Sequence, residues 1–70
     1  MRELIISKEP IELFKILKFE GLVDSGGEAK LVISEGLVKV NNKVETQKRK
    51  KIKSGDIIEY RQDRIRIHLQ

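Results

Sequence analysis

The sequence contains no cysteine and no tryptophan, and it has a single proline and a single histidine. Without thiols there is no disulfide framework and no thiolate chemistry, a pattern expected of a reducing compartment, the cytoplasm. His68 has no neighbouring ligand in the sequence, so no metal site is expected. Aromatic residues are limited to two phenylalanines and one tyrosine, which argues against the stacking platforms of single-strand binders. The N-terminus carries only the short apolar run Leu4–Ile6. That is far below the about 20 apolar residues of a spanning helix, and it is shorter than the apolar core of a secretion signal. Neither membrane insertion nor export is expected. There is also no nucleophile paired with a base, no GxxxxGK phosphate loop and no ligand cluster, so neither catalysis nor a cofactor is expected.

What the sequence has in abundance is charge, unevenly spread. The total is +4, but residues 1–28 hold four basic against six acidic side chains, while residues 29–70 hold eleven against five. The density peaks between Lys39 and Lys53, where seven cations meet one acid, Glu45. Such a field favours polyanions. At 70 residues the chain has room for one domain, residues 1–70, with a small core.

The stretch from Ser25 to Asn41 is the best-marked local structure. Ser25 is suited to cap a helix, with Glu28 three residues on to complete a capping box. Ala29, Val32 and Ile33 then form one apolar stripe, which Leu31 is expected to widen, and Gly36 stops the helix. Val38 and Val40 alternate with Lys39 and Asn41, a change to strand periodicity. Upstream, Glu9-Pro10 predicts the start of a first helix running from Pro10 to Phe19 or Glu20, with Leu13, Phe14, Ile16 and Leu17 inward and Gly21 as its stop. Leu22 and Val23 should fill the gap between the helices. Leu4–Ile6 reads as a first strand. Asn41-Asn42 predicts a tight hairpin turn leading to a strand over 44–46. Gln47–Lys51 reads as a loop or irregular strand, Ile52 as an anchor, Ile57–Tyr60 as a strand, and Gln62-Asp63 as the turn into a last strand. In that strand Ile65, Ile67 and Leu69 alternate with Arg64, Arg66 and the surface residue His68. The expected class is α+β, two helices packed on a small antiparallel sheet of three to five short strands.

Leu17, Gly21, Leu22, Ser25, Ala29, Leu31, Ile33, Gly36, Val38, Val40 and Asn41, followed by Gly55-Asp56, resemble in order and spacing the S4 RNA-binding domain over residues 9–60. GLVDSGGEAK together with KRKK is similar to the small stand-alone bacterial members. The resemblance implies the αL arrangement of the S4 fold, and ribosomal or other structured RNA of the bacterial cytoplasm as partner; a monomer associated with the ribosome or translation is expected. It also places Lys30 and Lys18 at positions where the family sets basic residues against RNA. Asn41 stands at the asparagine of the family's Val-Asn-Gly turn, where a structural role is expected first, and Asn42 replaces the glycine. Gly26 stands where the family commonly has an arginine after the serine, so that arginine contact is not carried over to this chain.

The residues themselves point the same way. Lys48, Arg49, Lys50 and Lys51 repel one another on adjacent positions and have no obvious acids, which suits phosphate contacts, the alternative being a solvated loop. Lys39 and Lys43 precede them and are expected to share their surface. Lys30, expected in the first turn of its helix, opposes the helix dipole; a harmless surface lysine is the alternative. Ser25, Gly26 and Gly27 leave bare N–H groups at a helix start, an anion site, or else serve close packing. The function expected is recognition of structured RNA through phosphates and shape. The alternatives are an adaptor docking its basic face on an acidic partner, and non-specific DNA binding.

Overall fold

Each helix is closed by a glycine, and those two stops set the geometry of one layer. The computed structural model describes residues 1–70. Helix α1 (Leu13–Phe19) ends where Gly21 adopts φ 71°, and α2 (Gly26–Ser34) where Gly36 adopts φ 79°. The N–H groups of Gly21 and Leu22 donate to the carbonyls of Lys18 and Leu17, and those of Gly36 and Leu37 to Ile33 and Val32. Both are Schellman closures, which satisfy carbonyls that a helix end otherwise leaves unpaired. At the start of α2 the Ser25 hydroxyl accepts from the Glu28 N–H at 3.1 Å. The Glu28 carboxylate accepts from the Asp24 N–H at 2.8 Å. The expected capping box is present, its return bond landing one residue before the cap.

Under the helices lies a five-stranded sheet. Its strands are β1 (Arg2–Ile6), β3 (Val38–Val40), β4 (Lys43–Val44), β6 (Ile57–Tyr60) and β7 (Asp63–Leu69), in the order β1-β7-β6-β3-β4. A separate ribbon pairs β2 (Ile11–Glu12) with β5 (Lys51–Ile52). Between helices and sheet sits a cluster of 15 buried apolar residues. Leu13, Ile16 and Leu17 of α1 and Ala29, Val32 and Ile33 of α2 meet Val38, Ile58, Tyr60, Ile65 and Ile67 there. No polar side chain is buried, so the core is held by apolar burial alone, worth ~25 cal/mol per Å².

The α+β class and the two-helix layer agree with the sequence, and several details differ. The sheet is mixed, because β1 runs parallel to β7, with Leu4 opposite Ile67. A parallel pair needs a long crossover, and here the whole chain between the two strands supplies it. Helix α1 starts at Leu13 rather than Pro10, because Ile11 and Glu12 pair with Ile52 and Lys51 instead. Leu31 does not widen the buried stripe: it is 55% exposed, on the far side of α2. The β6–β7 turn also falls one residue early, at Arg61-Gln62, with Arg61 at φ 58°. The β3–β4 turn is as expected, Asn41 and Asn42 both having positive φ, 53° and 71°, but β4 spans Lys43–Val44 rather than 44–46, the pairing with β3 ending at Val44.

A β-carbon added at Gly36 would meet the Val44 side chain at 3.6 Å, an ordinary contact. The cost of Gly36→Ala is therefore conformational, about 1–2 kcal/mol for a left-handed non-glycine residue. Tm should fall by roughly 5–15 °C in a domain of this size. An unchanged melting temperature would contradict the role assigned to this helix stop.

Candidate nucleic-acid interface

Helix α1 lacks a capping side chain of its own: Glu12, at the cap position, makes no side-chain bond to the first turn. The N–H groups of Leu13 and Phe14 donate instead to the carbonyls of Lys50 and Lys48, at 2.9 and 3.1 Å. The segment carrying Lys48–Lys51 is thus fastened through its backbone to the start of a helix, and its side chains are left free to face outward. Within it, the Lys50 N–H donates to the Gln47 carbonyl, and Lys51 joins the β2–β5 ribbon opposite Glu12. Ile52, fully buried, anchors the far end.

Arg49 alone among the four folds back. Its Nη1 lies 3.2 Å from both carboxylate oxygens of Glu12, which also pairs with Lys15 at 3.4 Å. The Arg49 hydrogen bond holds the Glu12 carboxyl below the ordinary carboxylate range; partial desolvation opposes that shift, and Lys15 reinforces it. Beside this pair stands the ring of Phe14. The Lys30 ammonium lies 4.7 Å from its centroid, the Arg49 guanidinium 5.3 Å and the Lys15 ammonium 6.0 Å, all within cation–π range. The ring edge also lies about 3.8 Å from where a β-carbon would stand at Gly26. One half-buried aromatic thus links α1, the opening of α2 and the basic segment.

The expected site residues divide into two groups. Ser25, Gly26, Gly27 and Lys30 at the start of α2 and Lys48, Arg49, Lys50 and Lys51 form the first, around Phe14. Lys30 sits one residue past the first turn, and its charge is met by the ring. Lys18, one turn after Phe14, lies in the last turn of α1, where the helix dipole favours a cation. Lys39, Asn41 and Lys43 belong to the β3–β4 hairpin. Lys39 lies in register with Glu59, which is in turn opposite Arg64, and Glu3 is opposite Arg66. The open face of the sheet thus sets Lys39 and Arg64 beside Glu59 and Arg66 beside Glu3, interspersed with Ile5, Ile57 and Val44. Asn41 is engaged internally: Nδ2 donates to Asp56 Oδ1 at 3.0 Å, and Oδ1 accepts from the Ile57 N–H at 2.9 Å. His68 pairs with Glu3.

Lys48, Lys50 and Lys51 make no ion pair, in contrast to Arg2, Lys15 and Arg49. The two surface depressions, about 340 and 500 Å³, lie along β1, and neither is lined by the 47–51 segment. Phe14 and Glu12 were not legible as site residues, since Phe14 fits the apolar period of α1 and nothing local joins it to residues 30 or 49.

Lys48, Lys50 and Lys51 thus stand on a segment fastened through its backbone to the start of α1, in an α+β fold of two helices on a five-stranded mixed sheet. The chain belongs to the S4 domain family, whose model matches residues 4–68. Over 56 residues it is 46% identical to "Putative RNA-binding protein YbcJ" of Escherichia coli (strain K12), covering 79% of this chain and 80% of that protein. The figures are the same for "Uncharacterized protein YbcJ" of Shigella flexneri. The solution structure of YbcJ from E. coli, described as revealing an αL motif involved in RNA binding, superposes with a TM-score of 0.74 at 39% identity. That superposition covers 97% of this chain and 87% of the other.

Two outcomes follow from this geometry. Asn41→Gly keeps the positive φ and deletes both side-chain hydrogen bonds, so it should cost about 1–2 kcal/mol in denaturant unfolding; a neutral substitution would refute the clamp. The depressed Glu12 carboxyl adds stability above the ordinary carboxylate pKa, and this is lost as pH falls through its lowered folded value. A ¹³C titration of the Glu12 carboxyl should therefore move upward in Arg49→Ala, and a titration that stays put would exclude Arg49 as the cause.

Proposed function

We propose that this domain binds structured RNA, ribosomal RNA foremost, through phosphates and shape, as a monomeric, translation-associated module of the cytoplasm. The observation that carries this reading is the set of unpaired cations Lys48, Lys50 and Lys51, fixed by their own backbone at the start of α1 in a chain of the S4 family. Like charges held together without acids repel, and a polyanion relieves that repulsion while releasing counterions. The name carried by its E. coli relative and the description of the matching solution structure support RNA as the polyanion.

In this reading one stretch of phosphates lies along the basic segment, Lys30 and the start of α2. There the N–H groups of Gly26 and Gly27 have no intrahelical partner, and the Ser25 hydroxyl, which caps Glu28, keeps its own proton free to donate. Lys18 extends this surface along α1. Lys43, on the same face of the hairpin as Val40, meets a neighbouring stretch, whereas Lys39 does not share that surface, because it lies on the open sheet face beside Glu59; Asn41 acts by holding that hairpin against the Asp56 turn. The scarcity of exposed aromatic platforms suits a helical or junction-like target, recognised through its shape and backbone, better than a splayed single strand.

The test is a salt series with a folded ribosomal RNA fragment and duplex DNA of equal length. If about four to six phosphates are neutralised, log affinity for RNA should fall with log salt at a slope near −3 to −5. Lys48/Lys50/Lys51→Ala, which spares the Arg49–Glu12 pair, should weaken binding and flatten that slope by about 2–3. Equal affinity for both polymers, or a variant that binds like the parent, would overturn this mechanism in favour of DNA binding or docking on an acidic protein.

A further inference from the structure

The geometry points to Phe14 as the positioning residue of the basic surface, a role that rests on the RNA-binding reading above. Three cations from three places in the chain converge on its ring: Lys30 at 4.7 Å, Arg49 at 5.3 Å and Lys15 at 6.0 Å from the centroid. No ion pair joins Lys30 to any acid. Its ammonium is met by the ring face, whose negative quadrupole attracts cations without neutralising them. That distinction matters for a phosphate site. A carboxylate beside Lys30 would compete with RNA for the same charge, whereas an aromatic face holds the ammonium in place and leaves its charge available.

The same ring orders Arg49. Glu12 fixes one edge of the guanidinium, through Nη1 to both carboxylate oxygens. The ring fixes its placement relative to Lys30. Phe14 itself is half-buried and held at its backbone, since its N–H donates to the Lys48 carbonyl at 3.1 Å. It is thus a rigid post between the two elements whose cations must be spaced to match successive phosphates. Long flexible cations ordered before binding lose less rotamer freedom when RNA arrives.

The role is tested with Phe14→Leu, which keeps apolar bulk and deletes the quadrupole, and with Phe14→Tyr, which keeps both. Affinity for the folded ribosomal RNA fragment should fall about three- to tenfold in Phe14→Leu and recover in Phe14→Tyr. In a Lys15→Ala/Lys30→Ala/Arg49→Ala background the same Phe14→Leu change should have no further effect, because Phe14 acts only through those three cations. Without RNA, the parent should show upfield ring-current shifts of the Lys30 Hε and Arg49 Hδ protons that Phe14→Leu abolishes. A parent that binds RNA with Phe14→Leu equal to it, a loss that persists in the triple-alanine background, or the absence of those shifts in the parent each overturns the positioning role alone. A parent without affinity for RNA overturns the functional reading, and this role falls with it.

Discussion

The first turn of α1 cannot satisfy itself, and the rest of the molecule is arranged around that deficit. A helix start exposes N–H groups that need acceptors, and Glu12 at the cap position offers its side chain to Arg49 and Lys15 instead. The carbonyls of Lys48 and Lys50 supply what is missing. This couples a helix near the N-terminus to a segment 37 residues further on, the separation of Glu12 and Arg49. The short β2–β5 ribbon is the visible track of that coupling, with Ile52 buried beneath it. The fastening to α1 runs through the carbonyls of Lys48 and Lys50, with the Arg49–Glu12 pair beside it, so the side chains of Lys48 and Lys50 take no part in it.

The cations of this protein fall into two kinds as a result. Those on the open sheet face have carboxylates in register, Lys39 and Arg64 with Glu59 and Arg66 with Glu3. Cross-strand pairs of opposite charge stabilise a sheet by a few tenths of a kcal/mol each. On the helix side, Lys18, Lys30, Lys48 and Lys50 have no carboxylate in register and make no ion pair, and Lys51, in register with Glu12, makes no ion pair with it. Total charge therefore says less than pairing does. Phe14 adds a third way of accommodating positive charge, by attraction to a neutral ring face, and it does so where α1, α2 and the basic segment meet.

Local chemistry made the second helix legible in detail. Ser25, Glu28 and Gly36 each act within four residues of themselves, so the cap, the box and the stop could be read before any packing was known. The same holds for Asn41-Asn42, whose positive φ angles are an intrinsic preference of the residue type. Leu31 shows the limit of that kind of reading. Its spacing admits it to the buried stripe, but the sheet beneath α2 has room only for Ala29, Val32 and Ile33. Pro10 misled for a related reason: a proline can begin a helix, yet Ile11 and Glu12 found partners in Ile52 and Lys51 that no local signal announces.

The sequence by itself determined the α+β class, both glycine helix stops, the asparagine hairpin and the uneven charge, because each follows from residue-level preferences or from periodicity. It also carried the S4 family signature in its order of motifs. Tertiary structure alone decided that β1 runs parallel to β7, that α1 begins only after a strand, that Asn41 is clamped to Asp56, and that Phe14 gathers Lys30 and Arg49. All of these join residues far apart in the chain. Their loop-closure cost is met only when the whole core forms, so no segment states them in advance.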